Sequence, residues 1–119
     1  MRGYLVAGNW KMHGDTLANA ELVGGIIRDA PRSSRVHLLV CPPSLHLYQV
    51  REMLRGSGIS LGAQTMSEHQ SGAYTGEIAG SMLTDLGCGY VIVGHSERST
   101  AYCESNENIA DKFNEVKKY

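Results

Sequence analysis

The chain has 119 residues, 42% of them hydrophobic and 19% charged, with 11 Lys plus Arg against 12 Asp plus Glu. That near balance speaks against nucleic acid or an acidic membrane as the main partner, while a small anion needs only local positive charge. No apolar run approaches the roughly 18 residues of a transmembrane helix, and the N-terminus lacks the pattern of a secretory signal, so a cytoplasmic protein is expected.

Length alone suggests one domain spanning residues 1–119. The three cysteines, Cys41, Cys88 and Cys103, are odd in number and contain no Cys-x-x-Cys pair. They read as reduced thiols rather than a disulfide framework or a zinc site. The five histidines show no His-x-x-x-His pairing. No metal and no organic cofactor are expected.

In chain order, Tyr4-Leu5-Val6-Ala7 is a short apolar run halted by Gly8. Thr16 to about Asp29 reads as a helix, with Leu17, Val23, Ile26 and Ile27 near helical spacing and Pro31 just beyond. Val36 to Cys41 is a second strand, stopped by Pro42-Pro43. Ser44 is the expected cap of a second helix, whose Leu47, Val50 and Leu54 fall at i, i+3, i+7. Ile59 to Ala63 is a weaker third strand.

Gln64 to Ile78 is a long loop, and such a loop is more often functional than idle. A short helix from Ala79 to Leu86 ends at Gly87-Cys88-Gly89, a helix-to-strand turn rather than a nucleotide loop. Tyr90 to Val93 reads as a buried parallel strand. Ser105 then caps a last helix with Ile109, Phe113 and Val116 at i, i+4, i+7. The pattern is βαβαβαβα, which predicts an α/β fold with parallel strands and right-handed crossovers.

In such folds chemistry gathers at the C-terminal ends of strands. Here those ends read Gly8-Asn9-Trp10-Lys11, Cys41-Pro42-Pro43, Gly62-Ala63-Gln64 and Gly94-His95-Ser96-Glu97. One curved sheet would bring Asn9, Lys11, His95 and Glu97 to one place. Lysine offers a positive charge to an anion, and asparagine can donate to a carbonyl oxygen. A histidine at the start of a helical turn faces the positive end of its dipole, which favours the neutral ring as a hydrogen-bond donor. The set suits polarising a carbonyl and stabilising an enolate-like oxyanion. The competing readings are a solvated surface lysine and a structural histidine.

Three segments carry a resemblance: Ala7-Gly8-Asn9-Trp10-Lys11-Met12, Gly72-Ala73-Tyr74-Thr75-Gly76-Glu77 and Val93-Gly94-His95-Ser96-Glu97-Arg98. In order, spacing and position the chain resembles the triosephosphate isomerase family. The resemblance implies a TIM (β/α)8-barrel fold, of which this chain supplies a (β/α)4 half-barrel. It implies a phosphorylated triose as substrate, isomerised through an enediolate without a cofactor. The neutral-histidine mechanism of that enzyme is itself a standard worked case of tuned protonation. His95 would be the neutral electrophile that shuttles a proton. Lys11 would hold the anionic substrate, Asn9 would donate to a substrate oxygen, Glu97 would support Lys11, and Ser96 would hold the resting base.

The resemblance further implies a homodimer in which Thr75, at the tip of the long loop, reaches a neighbouring subunit and buttresses its Asn9. Gln64 and Arg98 would lie near that interface. Ser99 stands where the family often has a second arginine, and Tyr102-Cys103-Glu104 where it commonly has Phe-Gly-Glu. The family's general-base glutamate, its mobile lid and its main phosphate-binding loops come after the sixth strand and have no counterpart up to Tyr119. The expected partner is therefore a complementary C-terminal half-barrel or a second copy. The alternative expectation is an inactive half-barrel that self-associates and at most binds small phosphates.

Overall fold

A computed structural model describes residues 2–119. Four parallel strands follow one another in the order β1-β2-β3-β4. They are β1 (Tyr4–Asn9), β2 (Val36–Cys41), β3 (Ser60–Ala63) and β4 (Tyr90–Val91). Helices α1 (Thr16–Asp29), α2 (Leu47–Leu54) and α3 (Gly80–Leu86) connect them. Two helices, α4 (Ser96–Tyr102) and α5 (Asn106–Val116), follow β4. The strands curl into half of a barrel of the TIM type.

Alternation along the strands separates two faces. Val40 of β2 and Leu61 and Ala63 of β3 point outward. There they meet Val23 of α1, Leu47, Val50 and Leu54 of α2, and Leu83 of α3. Each of these is less than a tenth exposed. Burial of each Val or Leu side chain is worth about 1.5–3 kcal/mol. The i, i+3, i+7 stripe of α2 is therefore the centre of the core, as its spacing predicts.

Several boundaries differ from the sequence reading. Strand β1 runs through Gly8 to Asn9, because both residues stay in parallel register with Val40 and Cys41. Ser44 does not cap α2. It opens a one-turn 3-10 helix, Ser44–His46, that leads into α2 without a side-chain cap. Strand β3 begins at Ser60 rather than Ile59, and Ala79 is the N-cap of α3 rather than its first residue. Gly87 closes α3 in the left-handed conformation, in keeping with the predicted turn.

Strand β4 is short and is not buried: Tyr90 is 41% exposed. The reason is position, since β4 is an edge strand with β3 as its neighbour on one side only. Strand β1 is the other edge, and consecutive residues Tyr4, Leu5 and Val6 are all more than half exposed. Both faces of β1 are therefore open.

Two predicted apolar stripes are also corrected. In α1, Val23 is fully buried but Leu17 and Ile27 are exposed. In α5, Phe113 is exposed, whereas Lys112 and Glu115 are buried. The face of α5 that meets the rest of the chain combines the half-buried Ile109 and Val116 of the stripe with an ion pair, described below. No described helix is long and apolar enough to cross a membrane.

Candidate active site

The loop after β1 turns sharply at Lys11, whose φ of +54° is in the left-handed region. For a non-glycine residue this costs on the order of 1–3 kcal/mol. Three hydrogen bonds hold the turn. The Lys11 N–H donates to Asn9 Oδ1 at 2.9 Å. Gln64, at the end of β3, donates from Nε2 to the carbonyls of Lys11 (2.8 Å) and Cys41 (2.9 Å). One amide thus ties the ends of three strands together. Because Asn9 Oδ1 is engaged, Nδ2 is the end of Asn9 left to donate.

After β4, Gly94 turns the chain with φ +76°. A Cβ there would stand 3.0 Å from Ile109 Cγ2, so glycine answers both the backbone angle and the close approach of α5. His95 follows as the N-cap of α4, and its Nδ1 accepts the Glu97 N–H at 3.1 Å. A ring that accepts at Nδ1 carries its proton on Nε2. The histidine is therefore set as an Nε2–H donor by the first turn of α4. Glu97 Oε2 lies 3.7 Å from Nδ1, too far for a hydrogen bond.

The two ends of the sheet's first and last strands then meet. Lys11 Nζ pairs with Glu97 Oε1 at 2.6 Å. The Lys11 hydrogen bond, reinforced by its charge and only partly opposed by burial, holds the Glu97 carboxyl below the ordinary glutamate range. Asn9, Lys11, Gln64, His95, Glu97 and Arg98 line one cleft of ≈ 260 Å³, with Met12, Pro43, Thr65 and Tyr102 at its walls. Four of the sequence-predicted chemical residues are thus brought together. Gln64 and Arg98 join them, while Ser96 and Thr75 do not line the cleft. Thr75 lies exposed in the loop between β3 and α3.

Arg98 leads to residues the sequence reading missed. Its Nε donates to Glu104 Oε2 at 2.9 Å, and Lys112 Nζ donates to the same oxygen at 2.7 Å. Lys112 also donates to Thr65 Oγ1 at 3.0 Å, which ties α5 to the base of the long loop. The side chains of Glu104 and Lys112 are only 6% and 7% exposed. Burial pushes the Glu104 carboxyl up, but the hydrogen bonds and charges of Lys112 and Arg98 outweigh it and leave the carboxyl low. A lysine in the middle of a helix reads as solvated, and only the distant Glu104 and Thr65 explain its burial. Cys103, between Arg98 and Glu104 in sequence, adopts φ +56° at the C-terminus of α4.

All three cysteines are unpaired. Burial raises the Cys41 thiol, and burial together with the neighbouring Cys41 pushes Cys88 up to about 11. Neither is a nucleophile at neutral pH. Among the described residues no group of three or more His, Cys, Asp and Glu could hold a metal ion.

Comparison with known proteins agrees with this geometry. The profile of the family described as triosephosphate isomerase matches residues 4–119. A triosephosphate isomerase of Dechloromonas aromatica is 50% identical over 118 residues, covering 99% of this chain and 47% of the relative. That of Nitrosomonas eutropha is 47% identical over 112 residues, covering 94% of this chain and 44% of the relative. That of Thiobacillus denitrificans is 50% identical over 113 residues, covering 95% and 44%. The chain spans a little under half the length of these curated relatives. A half-barrel whose strand ends carry Asn9, Lys11, His95 and Glu97, matched over nearly all of its length, belongs to the triosephosphate isomerase family.

Proposed function

We propose that this chain contributes the electrophilic half of a triosephosphate isomerase active site. The observation that carries the reading is the convergence of Asn9, Lys11, His95 and Glu97 on one cleft. The reaction moves a proton between adjacent carbons of a phosphorylated triose through an enediolate. His95 donates from Nε2 to the substrate carbonyl and stabilises the oxyanion that forms. It then passes its proton between the two substrate oxygens. Lys11 attracts the anionic substrate and lowers the energy of the developing negative charge. Asn9 donates a further hydrogen bond from Nδ2, and Glu97 keeps the ammonium aimed into the cleft. Ser96 supports the resting base.

The base itself, a lid and the main phosphate-binding loops belong to the part of the relatives that lies beyond the matched half. A complementary C-terminal half-barrel would close the sheet against β1 and β4 and complete the site. Thr75 of a neighbouring subunit would brace Asn9 in a homodimer, with Gln64 and Arg98 close to that contact. This is the setting of cytoplasmic sugar-phosphate metabolism.

An isomerase assay on the 119-residue chain tests the reading, alone and mixed with the polypeptide that corresponds to the rest of a relative. Turnover is expected in the mixture and not in the chain alone. Turnover by the chain alone that survives His95→Ala would overturn the residue roles. A folded mixture without turnover would favour the half-barrel as a phosphate-binding module instead.

A further inference from the structure

Lys11 opens a loop that runs to Thr16, where α1 begins. Asn9 and Gln64 hold its near end. Its far end rests on two amides outside the cleft. Asn19, in the first turns of α1, is 2% exposed. Its Nδ2 donates to Gln49 Oε1 at 3.0 Å, and Gln49 Nε2 donates to the Thr16 carbonyl at 2.7 Å. Gln49 lies on α2 beside Val50, which is fully buried. The first residue of α1, where the loop ends, is therefore pinned to the central helix of the core.

Gly14 completes the arrangement. Its φ is +121°, and a Cβ built on it would stand 2.5 Å from Asn19 Oδ1 and 3.5 Å from the His46 ring. Only glycine lets the loop pass so close to Asn19. Between Gly14 and α1, Asp15 Oδ1 accepts the Ala18 N–H at 2.8 Å as the N-cap. Asp15 and Thr16 are each held by a hydrogen bond, and Gly14 before them has no room for a side chain. Apolar side chains of similar shape could fill the same space without loss of stability. What they could not do is fix individual loop atoms, because packing has no direction and hydrogen bonds do.

We infer that Asn19 and Gln49 are positioning residues: they set the path of the loop after Lys11 and so hold its ammonium beside Glu97. The functional meaning rests on the reading of Lys11 as the cation that holds substrate. The geometry does not, and the two can be tested separately.

The Glu97 carboxyl reports where the ammonium is, because the Lys11 hydrogen bond keeps it low. Carbon-13 NMR titration of Glu97 therefore reads loop position directly. Lys11→Met defines the value for a lost contact. Asn19→Ala and Gln49→Met are each expected to move the Glu97 titration at least halfway to that value. Leu83→Ala weakens the core from α3, which carries none of these hydrogen bonds, and is expected to leave the loop in place. Amide spectra of β2 and β3 establish that each variant is folded, and the volume-conserving Gln49→Met stands in if Asn19→Ala does not fold. An unchanged Glu97 in a folded Asn19→Ala or Gln49→Met chain overturns the inference. So does an equal shift in Leu83→Ala, which would make Asn19 merely structural. If Glu97 moves but Lys11→Met leaves isomerase activity of the completed protein intact, the positioning stands and the role of Lys11 falls.

Discussion

The Lys11 ammonium and the Glu97 carboxylate meet at 2.6 Å although they follow the two outermost strands of the half-barrel, and each is about half exposed. An exposed ion pair contributes little to stability, so the role proposed for this one is to aim the charge. Glu97→Gln is expected to leave the unfolding midpoint nearly unchanged. In the completed protein it should lower kcat/KM by roughly 10–100-fold, the order of loss that follows a small displacement of a reacting group. Steady-state kinetics beside a urea melt checks both halves of this expectation.

The pair also has a definite pH dependence. Glu97 is held below its ordinary range in the folded chain. The ion pair is complete above the ordinary glutamate range and is lost as pH falls through the lowered value. Nitrogen-15 spectra of Lys11 Nζ should stay constant from neutrality down to the usual glutamate pKa and change only below it. A change centred at or above the ordinary value would show that the contact is not formed in solution.

Cys103 occupies a left-handed position where a glycine is at ease. Its N–H still bonds the Arg98 carbonyl to close α4. Cys103→Gly should therefore stabilise the chain by about 1 kcal/mol. Cys103→Ala should not, since it keeps a Cβ at the same φ. Urea midpoints of the two variants provide the comparison.

Lys112 and Glu104 form a buried pair. Removing Lys112 leaves the buried Glu104 with Arg98 as its one remaining charged partner, so Lys112→Met should cost about 1–3 kcal/mol. Lys112→Met combined with Glu104→Gln should recover part of that loss. Because Glu104 is held low when folded, its contribution is present above the ordinary glutamate range and fades as pH falls through the lowered value. The single variant should accordingly be most damaging near neutral pH and less so in acid, as pH-dependent denaturation would show.

The core was readable where periodicity and burial have the same cause. Leu47, Val50 and Leu54 face the sheet because α2 is covered on that side, and their spacing says so. The strand ends were readable too, since parallel α/β topology places Asn9, Lys11 and His95 at one end of the sheet. What escaped were contacts that join distant segments through polar side chains. Gln64 to Lys11, Lys112 to Thr65 and Asn19 to Gln49 leave no local pattern. The stripe Ile109, Phe113, Val116 faces the chain at Ile109 and Val116 and fails at Phe113, which is exposed beside the buried Lys112. The exposure of Tyr4, Val6 and Tyr90 follows from edge position, which apolar composition alone cannot reveal.

The most direct test of the account is the kcat/KM of the completed isomerase with His95 and with His95→Gln. Glutamine keeps a polar side chain at the N-cap but cannot carry a proton between the two substrate oxygens. A fall of about 10²-fold or more, with the fold retained, is the predicted result. An unchanged kcat/KM would contradict the assignment of His95 and with it the proposed chemistry of the cleft.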